Sequence, residues 1–206
     1  MAVGGRQTLR DIFDESPTPH IAHPPTTHQR DYYVATDGSF SADGSGLGVI
    51  IEGHTGDRVT RISIADDAPD NNVAEYRALH LGLDVLADRA PPNANVGVII
   101  DHNDLAANVN TFVINNRRSD YTDQHDISIP SQGEYHWRGI RARVAAFGEL
   151  RAACVNSRHN PAHPLANTPY EYRHVNNGTP KCLLPDVDSQ STDIPPPSRT
   201  NKHAGD

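Results

Sequence analysis

Residues 71–79 read Asn71-Asn72-Val73-Ala74-Glu75-Tyr76-Arg77-Ala78-Leu79, and the fold turns on them. They open a helix expected from about Val73 to Asp88. Tyr76, Leu79, Leu83 and Leu86 recur on it at helical spacing, and Pro91-Pro92 stops it. Glu75 in the first turn has two readings. Asn72 to Glu75 fits a capping box, with Asn at the N-cap and Glu at N3. Alternatively Glu75 belongs to a site, and the segments on either side decide between the two.

Upstream lie three strand patterns. Tyr32-Tyr33-Val34-Ala35-Thr36 runs into Asp37-Gly38-Ser39, which has turn chemistry of its own. Gly46 to Glu52 is the second, and Arg58 to Ile64, alternating with period two, is the third, so the three form an antiparallel meander. Downstream, Val96-Gly97-Val98-Ile99-Ile100 is the near-continuous apolar run of a central strand buried on both faces, and it ends at Asp101. Helices are expected at about Asn103–Asn115 and Tyr135–Leu150, with a last strand at Ala152–Val155. The order β-β-β-α-β-α-α-β predicts an α/β protein, a mixed sheet flanked by helices. Gly44-x-Gly46-x-Gly48 invites a dinucleotide-binding reading, which fails because a strand follows it instead of a helix.

The 206 residues suit one domain with tails: a disordered arm over 1–30, the domain over 31–175, and a Pro-rich disordered tail over 176–206. The arm has one short apolar stretch, Leu9 to Phe13, long enough for a helical turn, and its His20, His23 and His28 read as solvated. Two cysteines exclude a disulfide scaffold and a four-cysteine zinc site. Without a membrane-length apolar run or a signal-peptide core, the expectation is a soluble, cytoplasmic protein. Net charge is −8, and it is unevenly spread: residues 31–104 carry −9 and residues 105–160 carry +2. An acidic total disfavours nucleic acid as a partner, but the local distribution matters more than the sum.

Asp37, Asp101 and Glu75 fall where this topology brings strand ends and a helix start together. Acids in such a cluster repel strongly unless a cation neutralises them, and oxygen donors suit Mg²⁺ or Mn²⁺. Two such ions about 4 Å apart activate water and stabilise the leaving oxygen of a phosphodiester.

Thr36-Asp37-Gly38-Ser39, Asn71 to Leu79 and Val98-Ile99-Ile100-Asp101 resemble the ribonuclease H family, in the same order and at similar distances, over roughly 31–170. The resemblance implies a divalent-metal-dependent endoribonuclease cutting the RNA strand of RNA–DNA hybrids. Asp37 would bridge two Mg²⁺ or Mn²⁺ ions, with Glu75 and Asp101 completing the cage. Gly38, Ser39, Asn71 and Asn72 would line the minor groove, where the 2′-hydroxyl marks RNA. It further implies a monomer with no organic cofactor and no membrane.

The fourth acid departs from the family pattern. The family closes with an Asn, then Ala-Asp-x-Leu-Ala, and this chain has Ala162-His163-Pro164-Leu165-Ala166-Asn167. His163 therefore stands at the expected Asp, and an alternative alignment from Asn167 offers Glu171. Imidazole suits Mn²⁺ better than Mg²⁺. His159, on the loop after the last strand, matches a position that assists proton transfer. Arg138 and Arg141 would hold phosphates, beside Arg117, Arg118, Arg143 and Trp137. His102 reads as a solvated loop residue. The missing acid leaves open a weak or inactive hybrid-binding module, and the fold leaves open a DNA exonuclease or recombinase-type nuclease.

Overall fold

Each run of alternating or continuous apolar residues becomes a strand of one five-stranded sheet. The strands are β1 (Tyr32–Ser41), β2 (Gly44–Gly53), β3 (Arg58–Asp66), β4 (Asn95–Ile100) and β5 (Glu149–Cys154). The helices are α1 (Leu9–Glu15), α2 (Asn71–Ala87), α3 (Asn103–Arg117), α4 (Glu134–Ala146) and α5 (His163–Asn167). The computed structural model describes residues 6–21, 29–42, 44–117 and 126–176, with the two-residue strands Lys181–Cys182 and Arg199–Thr200, which pair with each other. The sheet order is β3-β2-β1-β4-β5, antiparallel across the opening meander and parallel at β1–β4 and β4–β5. The α/β, mixed-sheet expectation matches this topology.

Both faces of the sheet are covered, which explains the unbroken apolar runs. Val34, Val49, Ile51, Val98, Ile100 and Ala152 point to one side, into a core shared with α2, α3 and α4. Tyr33, Ala35, Ile50, Ile99 and Ala153 point to the other, against Leu9 and Phe13 of α1 and Leu165 of α5. Gly46 and Gly48 on β2 form the seat of α5. A Cβ at either would lie 2.2 Å from the Ala166 carbonyl oxygen or 2.4 Å from that of Ala162. The glycine run thus serves close packing.

The folded unit starts well before residue 31. Thr8 and Asp11 form a capping box on α1, and the buried Glu52 carboxylate accepts from the Leu9 N–H at 2.9 Å and pairs with Arg6. Phe13 meets the Tyr33 ring edge-on at 5.6 Å between centroids. The expectation of a disordered arm is therefore corrected over residues 6–21: a short apolar helix is ordered by the sheet face it covers. Both sheet edges are also blocked. The Pro17 carbonyl accepts from the Cys154 N–H on β5, and the Asn176 side chain brackets the backbone of Ser63 on β3. The tail expected over 176–206 otherwise lies outside the described residues, apart from the two short strands. No helix among the described residues is long and apolar enough to cross a membrane.

Two local expectations change. The helix expected to reach Leu150 stops at Ala146, because Phe147 turns extended and is buried, and Leu150 belongs to β5. At α2 the N-cap is Asp70, whose side chain accepts from the Val73 N–H at 2.9 Å, so Glu75 is released from a capping role.

Candidate metal centre

Parallel pairing of β1 with β4 sets the two aspartates side by side. Ala35 pairs with Ile99, and Asp37 and Asp101 each lie two residues further along their chains. Asp37 is 2% exposed and remains within β1, which continues through Asp-Gly-Ser to Ser41 and does not turn there. Gly38 explains how Glu75 comes close. A Cβ there would sit 2.1 Å from the Ala74 carbonyl carbon and 2.3 Å from the Glu75 nitrogen, so only glycine lets α2 approach β1. Glu75, 4% exposed, accepts from the Gly38 N–H at 3.3 Å.

α5 delivers His163. One donor atom each from Asp37, Asp101 and His163 lie within 4.8 Å of one another. Asn167 Nδ2 donates to His163 Nε2 at 2.7 Å, so Nδ1 carries the ring proton and donates to Asp37 Oδ1 at 3.3 Å. The loop ahead of α5 is pinned to β1 by Asn160, a buried residue that sequence reasoning passed over. Its Nδ2 donates to the Thr36 carbonyl at 2.9 Å, and its Oδ1 accepts from the Ala162 N–H. Asn160 follows the short 3-10 turn Ser157–His159, six residues beyond the end of β5.

The electrostatics are those of a site short of positive charge. Burial, then the charge of Asp101, pushes Asp37 up to about 9. Burial, then Asp101 and Asp37, raises Glu75 well above the usual carboxylate range. Burial, then Asp101 and Glu75, also raises the Cys154 thiol. Asp37 Oδ2 and Asp101 Oδ1 are buried without a hydrogen-bond partner. Unpaired carboxylate oxygens converging with an imidazole fit a divalent cation.

The other expected residues spread around this trio. Glu171 is exposed and lines a groove of about 280 Å³ with Asn167 and Tyr170; it is not part of the three-residue group. His159 is exposed on the β5–α5 loop, and Ser39 donates to the Ala166 carbonyl at 2.7 Å. Asn71 and Asn72 are exposed on the first turn of α2. On α4, Arg138 lies 5.8 Å from the Tyr135 ring and exposed Arg141 lies 4.9 Å from the Phe112 ring. Trp137 is buried against Tyr76 and Phe112, and Arg143 pairs with buried Asp84, so neither faces a ligand. Arg118 lies outside the described residues, as does the side chain of Arg117. His102, expected as a solvated loop residue, is held at both ring nitrogens, by Leu105 and Asn72.

No family model matches the chain, and no curated protein matches it. Solved structures do. Ribonuclease H1 of the halophilic archaeon Halobacterium salinarum is 17% identical with a TM-score of 0.52, over 68% of this chain and 97% of that one. The N-terminal ribonuclease H domain of rv2228c from Mycobacterium tuberculosis is 19% identical with a TM-score of 0.51, over 66% of this chain and 95% of that one. The foamy viral protease–reverse transcriptase in complex with an RNA/DNA hybrid is 14% identical with a TM-score of 0.52, over 75% of this chain and 22% of that one. This protein has the ribonuclease H-like fold.

Proposed function

We propose that the chain is a divalent-metal-dependent endoribonuclease that hydrolyses the RNA strand of RNA–DNA hybrids. The observation that carries this reading is the cluster of buried Asp37 with half-buried Asp101 and His163, in which two carboxylate oxygens lack any partner and burial beside Asp101 pushes Asp37 up to about 9. The hybrid bound by the foamy viral neighbour supports the substrate.

Asp37, Glu75, Asp101 and His163 are the residues that would hold two Mg²⁺ or Mn²⁺ ions. Such ions supply an activated water and a counter-charge for the leaving oxygen of the phosphodiester. Gly38 keeps Glu75 within reach of Asp37 and offers backbone to the substrate. Ser39, Asn71 and Asn72 present polar groups to the minor groove. His159, exposed on its loop, delivers the proton that the leaving 3′-oxygen takes up, so the products carry 3′-hydroxyl and 5′-phosphate ends. Arg138 and Arg141 contact phosphates.

The test is cleavage of a labelled hybrid beside matched RNA and DNA duplexes, in Mg²⁺ and in Mn²⁺, by wild type and Asp37→Asn. Wild type is expected to cut the hybrid's RNA strand alone, and the variant to lose at least about 10³-fold in rate. Without metal the variant should melt higher at neutral pH, by roughly 1–2 kcal/mol, because Asn removes an acid that ionises near 3.8 in the unfolded chain but is held up to about 9 in the fold. Hybrid binding without cleavage by wild type would leave a binding module, and cleavage of the DNA duplex a different nuclease of the same fold. Retained hybrid cleavage in pure Asp37→Asn protein would overturn the site.

A further inference from the structure

Immediately after Asp101, His102 stands at the head of α3. Its Nδ1 accepts the Leu105 backbone N–H at 3.1 Å, the bond an N-cap side chain makes to the third helical residue. A ring nitrogen that accepts carries no proton, so in the neutral ring the proton sits on Nε2. Nε2 donates to Asn72 Oδ1 at 3.0 Å. The helix cap therefore fixes the tautomer, and the tautomer fixes the amide of Asn72: its oxygen is committed to His102. Its amino group is left as a donor, and no described residue accepts from it.

That donor sits in a telling place. Asn72 is exposed on the first turn of α2, with Glu75 three residues further on, about one helical turn. On the hybrid-cleavage reading, a strand with its phosphate at Asp37 and Asp101 would run past this turn of α2, which also carries Glu75. The partners a lone N–H donor finds there are acceptors of the sugar and of the groove edge of the bases. The 2′-hydroxyl oxygen is present in ribose and absent in deoxyribose.

We propose that His102 is a positioning residue for sugar discrimination, holding the Asn72 amide so that Nδ2 donates to a ribose 2′-oxygen of the cut strand. This rests on the hybrid-cleavage reading and adds a residue that acts through Asn72 without touching the substrate. His102 also ties α2 to the β4–α3 junction, the two places that carry Glu75 and Asp101.

His102→Ser separates capping from positioning. Serine is a good N-cap, so α3 and the melting temperature should be kept, but its side chain is too short to reach Asn72. Steady-state cleavage of hybrid by His102→Ser should show KM raised about fivefold to tenfold with kcat nearly constant, the mark of a missing hydrogen bond in binding. In an Asp37→Asn background, where substrate stays intact, the binding preference for hybrid over DNA duplex should fall by a similar factor. Asn72→Ala should cause the same fall, and the double substitution no more than either alone. An unchanged preference in His102→Ser, or effects that add in the double variant, would overturn the proposal and leave His102 a helix cap. The preference is read by binding, so it stays measurable if wild type fails to cleave. In that case a shifted preference supports the positioning role while removing the enzyme reading. A wild-type protein without any preference overturns both.

Discussion

His163 is the residue on which the chemistry of this site depends most. It hydrogen-bonds Asp37 at 3.3 Å and belongs to the group with Asp37 and Asp101, whereas Glu171 is exposed beyond α5 and outside that group. A neutral ring in place of a carboxylate leaves the cage one negative charge short and supplies nitrogen, which Mn²⁺ accepts more readily than Mg²⁺. His163→Asp is therefore expected to raise Mg²⁺-supported turnover, on the order of tenfold, and His163→Ala to lower turnover in Mn²⁺. Glu171→Gln should change little. Titrating each metal into the three variants checks this, and an inactive Glu171→Gln beside near-normal His163 variants would give the position to the glutamate. Asp37, Glu75 and Asp101 stood out in the sequence because each follows or interrupts an apolar run, although β1 continues past Asp37 to Ser41. His102 and Asn160 did not, because their partners lie 30 and 124 residues away and only the fold brings them near.

Strands and long helices were legible from period and apolar runs, and their ends less so. α1 was legible only as one helical turn over Leu9 to Phe13, because seven residues cannot hold a helix alone; its order comes from the sheet face under Leu9 and Phe13. Between α2 and α4 lies a feature no pattern reveals, the fully buried rings of His80 and His136, with their Nδ1 atoms 3.2 Å apart. Burial, then Arg143, lowers His80 to about 3, and burial, then His80 and Arg77, lowers His136 to about 3. The fold thus holds both rings neutral, while the unfolded chain takes up protons near the ordinary value of 6.5. Their contribution is complete above that value and is lost as pH falls from 6.5 toward about 3. Asp37 has the opposite sign: with its folded value near 9 against an ordinary 3.8, metal-free stability falls as pH rises between them. Metal-free melts should accordingly peak between acid and alkaline pH. Replacing both rings, His80→Leu with His136→Leu, should flatten the acid limb alone. An acid limb as steep as wild type would place its source elsewhere.

Across the whole molecule, the acidic and basic stretches divide the work. Residues 31–104 carry −9 and build most of the cage, so a polyanionic substrate approaches it only with cations present or with positive charge nearby. Residues 105–160 are net +2, and α4 lies within this stretch. The sequence showed the charge but not its use, since Arg143 is spent on Asp84 and Trp137 on the core. The Arg138 guanidinium lies 5.8 Å from the Tyr135 ring and that of Arg141 4.9 Å from the Phe112 ring, cation–π contacts that restrict both side chains. Reversing both, Arg138→Glu with Arg141→Glu, is expected to weaken hybrid binding and to flatten its dependence on log salt by about one to two units, one for each phosphate no longer neutralised. Turnover at saturating hybrid should stay close to wild type, because neither residue reaches the acidic trio. Binding isotherms at several salt concentrations, with kcat measured in parallel, distinguish this from a solvated helix face. An unchanged salt slope would assign these arginines to the surface of α4 alone, and phosphate binding would then have to come from another part of the basic stretch.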